Sequence, residues 1–172
     1  MPPLHVQHAL PNDPDLDALA TGVAEVDRYF RSRAWFDSGK GRASPATYQF
    51  RTGPGGAVVG YASAAFRLQA HPSDGVPERA RFLVVYVLGL HRPFQGTENP
   101  AASGRRYADC VLEALEELAR ARDECVGLSL WVREDNARAI AFYERRGFVP
   151  DPGGPVARDA GPRHLTLRKL LR

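Results

Sequence analysis

A chain of 172 residues with 44% hydrophobic and 25% charged residues is long enough for one domain, 1–172, around a single core. No run of 18 apolar residues occurs, so no membrane span is expected, and Met1-Pro2-Pro3-Leu4-His5 lacks the charged and apolar regions of a secretory signal, which points to a cytoplasmic protein. The net charge of +3 is mild, and the arginines gathered near Arg92, Arg105 and Arg106 suit a small anionic ligand as well as nucleic acid, for which no RNA-binding motif is present.

Residues 4–10 read as an edge strand that Pro11-Asn12-Asp13-Pro14 breaks. Val23, Val26, Phe30 and Ala34 recur at helical spacing and predict a helix over 23–35, followed by a loop at 37–41. Strands over 46–51 and 57–68 flank Gly53-Pro54-Gly55-Gly56 as a hairpin, and the prolines and glycine of 69–79 predict a loop. Residues 82–88 are almost continuously apolar, which suits a central strand covered on both faces.

A loop over 91–103 leads to a helix opened by Ser103 or Gly104, with Tyr107, Val111, Leu115 and Leu118 as its apolar stripe and Glu113, Glu116 and Glu117 away from it. A strand at 126–132, a helix at 135–146 closed by Gly147, a short strand from Phe148, a turn over 150–162 and a strand over 163–170 complete the chain. The order β-α-β-β-β-α-β-α-β-β predicts an α/β or α+β sheet with helices on its faces. Cys110 and Cys125 form no C-x-x-C pair and adjoin no histidine cluster, so they read as reduced thiols and no metal site is expected.

Two segments carry chemistry. A helix N-terminus has unpaired N–H groups and a positive dipole end, and here Gly96, Gly104, Arg92, Arg105 and Arg106 stand beside one, which suits a phosphate. In the second, Asn136 and Tyr143 lie seven residues apart, on nearly one helical face and roughly 10 Å apart along the axis, with Ile140 between them. That face offers an amide, an apolar patch and a phenol. The same spacing equally suits an asparagine that only caps and a tyrosine that only packs.

Asn136, Ala139, Phe142, Tyr143, Gly147 and Phe148 together resemble the N-x-x-A-x-x-F-Y-x-x-x-G-F segment of GNAT acetyltransferases, and the order of elements is similar over nearly the whole chain. The resemblance implies a mixed, mostly antiparallel sheet with a splayed central strand, and acetyl-CoA as the acyl donor. Residues 87–90 take the splayed position, with Leu88 and Leu90 as backbone contacts for the pantetheine arm and Gly89 easing a bulge. Gln95, Gly96, Gly104, Arg105 and Arg106 take the pyrophosphate, Asn136 an amide of the donor, and Tyr143 both contacts the donor and protonates the thiolate. A backbone N–H near Leu90 meets the oxyanion.

The sequence departs from that pattern between Gly96 and Gly104. The loop is longer, its middle glycine is missing, and Glu98 adds a negative charge. Retained binding is expected because Gly104 opens a helix and the arginines remain, with a weakened acyl-CoA-binding relative as the alternative. Residues 82–90 contain no acidic group, so Glu78, His71 and His91 are the candidates for a general base. The acceptor is expected to be a primary amine of a small molecule or peptide, the protein a monomer or homodimer. The helix with Arg28, Arg31 and Arg33 faintly resembles that of toxin-type relatives acting on charged tRNA, which is the competing acceptor.

Overall fold

The computed structural model describes residues 3–37, 45–73, 76–151 and 163–171. In chain order these form β1 (His5–His8), α1 (Asp15–Ala18), α2 (Ala24–Ser32), α3 (Ala34–Asp37), β2 (Ala46–Arg51), β3 (Val58–Ser73), β4 (Val76–Leu90), a 3-10 turn (Arg92–Phe94), α4 (Tyr107–Arg120), β5 (Cys125–Arg133), α5 (Ala137–Glu144), β6 (Val149–Pro150) and β7 (His164–Leu170). Hydrogen bonds order the strands β1-β2-β3-β4-β5-β7-β6 in one seven-stranded sheet. β4 and β5 run parallel, while β1 with β2, β2 with β3, β5 with β7 and β6 with β7 run antiparallel. The mixed, mostly antiparallel sheet is the one expected. The ladder between β4 and β5 spans Arg81 to Val85, and β4 continues to Leu90 beyond it.

Contacts divide the chain into two units, Met1–Ala65 with Val87–Leu118 and Phe66–Tyr86 with Ala119–Arg172. In the first, Leu16, Leu19, Phe30, Trp35 and Tyr61 form a buried cluster against which Val26, Tyr29, Val58 and Val87 pack. Gln49 is fully buried and fully used. Its amide N–H groups go to Asp13 and, at 2.8 Å, to the Tyr61 hydroxyl, and its carbonyl accepts from Gln7 and Arg51, both at 2.6 Å. Such a network is stable because every buried polar atom in it has a partner. In the second unit, Phe82 to Val85, Leu128, Leu130, Phe148 and Leu167 are buried, so the apolar run of β4 is covered on both faces as its composition demands.

Four local expectations are revised. The helix foreseen over 23–35 breaks at Arg33, whose φ of 57° is left-handed. Its guanidinium reaches Asp17 at 3.0 and 3.1 Å and the Pro11 carbonyl at 2.7 Å. The break turns Trp35 inward, where its indole N–H donates to the Phe30 carbonyl at 3.0 Å. The loop foreseen over 69–79 is mostly strand, because β3 runs to Ser73 and β4 starts at Val76. Strand β3 lies between β2 and β4 in the sheet, a setting that local composition does not register. Helix α4 begins at Tyr107 rather than at Ser103 or Gly104. Glu116, placed on its polar face by periodicity, is 8% exposed. The loop expected at 37–41 and the turn at 150–162 lie largely outside the described residues.

Candidate active site

In the second unit, the sequence around α5 closes on itself in a defined way. Asn136 is the N-cap, its side-chain oxygen accepting from the Ala139 N–H at 3.1 Å. At the other end Gly147 takes a φ of +85°, the Phe148 N–H donates to the Tyr143 carbonyl at 3.2 Å, and the Gly147 N–H donates to the Glu144 carbonyl at 3.0 Å. This pair of bonds satisfies the last carbonyls of the helix and turns Phe148 back onto it. Phe148, 2% exposed, meets the Tyr143 ring at 5.5 Å between centroids, and Phe142 meets it at 5.2 Å, both edge-on. The F-Y-x-x-x-G-F pattern is thus a helix stop that clamps a tyrosine between two phenylalanines. The spacing of Gly147 and Phe148 was the signal for this clamp.

Tyr143 is half-buried, and among the described residues its hydroxyl has no hydrogen-bond partner. Desolvation pushes the phenol up to about 12, with the positive charge of Arg146 pulling the other way. The Arg146 guanidinium lies 3.6 Å over the Phe142 ring and donates to the Phe142 carbonyl at 2.8 Å. Asn136 and Asp135 are exposed, and Asp135 is held by Arg133 at 2.7 and 3.0 Å.

In the first unit, β4 ends at Leu90 with Leu88 and Leu90 half-buried. Gly89 is needed for packing: a Cβ there would sit 2.7 Å from Val26 Cγ1 and 2.8 Å from Thr21 Cγ2, so its bare backbone lets α2 lie against the strand. The register shift between β4 and β5 falls at Arg81/Phe82 instead. The Gln95 amide donates to the Leu90 carbonyl at 2.8 Å and the Thr21 carbonyl at 2.7 Å, fastening the loop to the strand end. Gly96 and Gly104 are exposed at φ of +71° and +70°, with open space beside each, and Arg106 is exposed. Arg105 is paired with Glu113.

The fit to a pyrophosphate is therefore partial. The exposed glycines and Arg106 suit one, but three amides at and just before the start of α4 are already engaged. The Arg105 N–H donates to the Ala102 carbonyl at 2.8 Å, the Tyr107 N–H to the Thr97 carbonyl at 3.0 Å, and the Arg106 N–H to the Asp109 carboxylate at 3.2 Å. A helix opening at Ser103 or Gly104 would leave these donors open, whereas the start at Tyr107 puts Arg105 and Arg106 in the preceding loop.

Of the base candidates, His71 and Glu78 lie on β3 and β4, where their side chains are outside the described positions. His91 Nδ1 accepts from the Ala20 N–H at 3.1 Å. That bond places the proton of the neutral ring on Nε2, so the ring can donate to a ligand but has no free lone pair with which to take a proton. His91 also lines a cleft of about 370 Å³ with Asp15, Leu19, Val58 and Phe94. On α2, Arg31 donates to the Leu19 carbonyl and Arg33 is committed to Asp17, while Arg28 is exposed.

No curated protein matches the chain. Among solved structures, acetyl-CoA-bound NAA60 of Arabidopsis thaliana is similar at 14% identity and a TM-score of 0.63, over 98% of this chain and 99% of that one. Ard1 of Thermoplasma volcanium is similar at 15% identity and 0.62, over 99% of each chain. AtaT complexed with acetyl-methionyl-tRNAfMet is similar at 19% and 0.61, over 95% of this chain and 93% of that one. These identities show a shared fold. The model of the acetyltransferase (GNAT) family matches residues 16–148, well over half of the sequence, and so the chain belongs to that family, an acetyltransferase group whose acyl donor is acetyl-CoA.

Proposed function

We propose that the protein transfers an acetyl group from acetyl-CoA to a primary amine of a small molecule or peptide by direct attack on the thioester. The amine nitrogen bonds to the carbonyl carbon, the carbon–sulfur bond breaks, and the nitrogen loses a proton to water or a base. Leu88 and Leu90 would offer backbone to the pantetheine arm, the Leu90 N–H would face the oxyanion, and Asn136 would contact a donor amide. Gly96, Gly104 and Arg106 would meet the pyrophosphate, with Gln95 and Arg105 shaping the loop around it.

The observation that carries this reading is the clamped Tyr143, whose hydroxyl is unengaged among the described residues. A phenol at about 12 is protonated at neutral pH. A thiol titrates near 8.5, so complete transfer from the phenol to a thiolate is uphill by roughly 5 kcal/mol. Tyr143 therefore acts as a hydrogen-bond donor that stabilises the departing sulfur, and water completes the protonation. Losing one charge-assisted bond of about 1.5–3 kcal/mol predicts a fall in kcat of roughly 10- to 150-fold for Tyr143→Phe, with acetyl-CoA affinity kept. Thiol release with a panel of amines and peptides, alongside calorimetric binding of acetyl-CoA, is the test. Equal turnover in the variant removes Tyr143 from the chemistry, and no binding at millimolar acetyl-CoA removes the donor assignment.

The internal pairing of Arg31 and Arg33 favours a small amine or peptide over a charged tRNA, because of the three candidate arginines Arg28 alone has no partner among the described residues. Active protein that arrests growth on expression without an antitoxin would reverse that preference.

A further inference from the structure

The insertion that separates Gly96 from Gly104 is built into the first unit by a buried anchor. Asn99 is 3% exposed on a loop whose neighbours Glu98, Pro100 and Ala101 face solvent. A polar side chain at that depth is stable only with partners, and it has them on three sides. Its amide donates to the Pro3 carbonyl at 3.0 Å and lies 3.6 Å from Cys110 Sγ on α4, and its oxygen accepts from the Ala101 N–H at 3.0 Å. Its own N–H donates to the Arg105 carbonyl at 2.8 Å. Beside it, Glu98 and Arg106 form a short antiparallel bridge, and the Thr97 carbonyl accepts from Tyr107 N–H. Ala102, 5% exposed, adds an apolar contact point.

The segment thus folds over the first turn of α4, where its Ala102 and Thr97 carbonyls take the Arg105 and Tyr107 N–H groups, while Asp109 of the helix itself takes that of Arg106. Helix N-termini bind anions through N–H groups without intrahelical partners. Here Arg105, Arg106 and Tyr107 each have an internal acceptor, one of them the Asp109 carboxylate, which also opposes an anion by charge. We infer that residues 97–106 are a latch, anchored by Asn99, that must release the start of α4 before the pyrophosphate of acetyl-CoA can bind there. The inference rests on acetyl-CoA being the donor. A latch that is mostly shut lowers apparent affinity in proportion to the fraction open, so weakening its anchor tightens binding.

The test compares calorimetric binding of acetyl-CoA with that of S-acetylpantetheine, which has no pyrophosphate, in wild type, Asn99→Ala and Asn99→Asp. Asn99→Asp keeps the side-chain volume and the acceptor for Ala101, and loses the donor to Pro3. Removing one or two buried bonds predicts acetyl-CoA binding about tenfold tighter, with S-acetylpantetheine unchanged. Folded variants that bind acetyl-CoA as wild type does, or more weakly, overturn the latch. If wild type binds acetyl-CoA firmly and the variants gain nothing, the donor assignment stands without it; if no protein binds either ligand, both fall. Should neither variant fold, amide exchange on wild type decides. Acetyl-CoA is expected to accelerate exchange at the Asn99 and Ala101 amides as the latch opens, and unchanged or slower exchange refutes it.

Discussion

Replacing Tyr143 by phenylalanine isolates one titration. The phenol's ordinary value is 10.0 and burial lifts it to about 12 in the folded chain. Because the folded value is the higher one, the fold favours the protonated form. The associated stability is fully present below pH 10 and is lost as pH rises towards 12, while the unfolded chain ionises first. That rise corresponds to about 2.7 kcal/mol at full effect, an upper figure because the residue is only half-buried. Below pH 9 the substitution should change stability by less than about 0.5 kcal/mol. The hydroxyl has no protein partner among the described residues, and the ring keeps its contacts with Phe142 and Phe148. Urea unfolding of both proteins at intervals from pH 8 to 12 measures the difference, in which the other titrating groups cancel. The wild type should lose ground to the variant by about 1–2.7 kcal/mol above pH 10. A difference that stays flat across that range would show that Tyr143 is not desolvated as its surroundings imply.

Gly147→Ala puts a side chain on a left-handed residue in otherwise open space, its nearest neighbour being Lys169 Cε at 3.8 Å. The conformational penalty of about 1–2 kcal/mol, partly offset by a stiffer unfolded chain, predicts a net loss of roughly 1 kcal/mol in chemical unfolding, and no loss would remove the helix-stop reading. His91→Asn keeps an acceptor for the Ala20 N–H, so the pH profile of kcat/KM should keep its acidic limb where wild type has it; disappearance of that limb would restore His91 as the base.

The sheet, the two longer helices and the α5 segment were legible in the sequence because each depends on short-range pattern. The run Phe82 to Val85 dictates a strand covered on both faces, and Asn136, Gly147 and Phe148 dictate where α5 starts and stops. That legibility extended to Tyr143 as a candidate, since its neighbours in space are its neighbours in the chain. Contacts distant in sequence decided the rest. The strand character of residues 69–73 belongs to a β3 that lies between β2 and β4 in the sheet, and the break at Arg33 to an aspartate sixteen residues away. Asn99 read as one polar residue in a polar loop. Only the fold brings Pro3 and Cys110 to it. Periodicity and turn chemistry are local and survive in one dimension, whereas the partners of a buried polar group are set by how the whole chain packs.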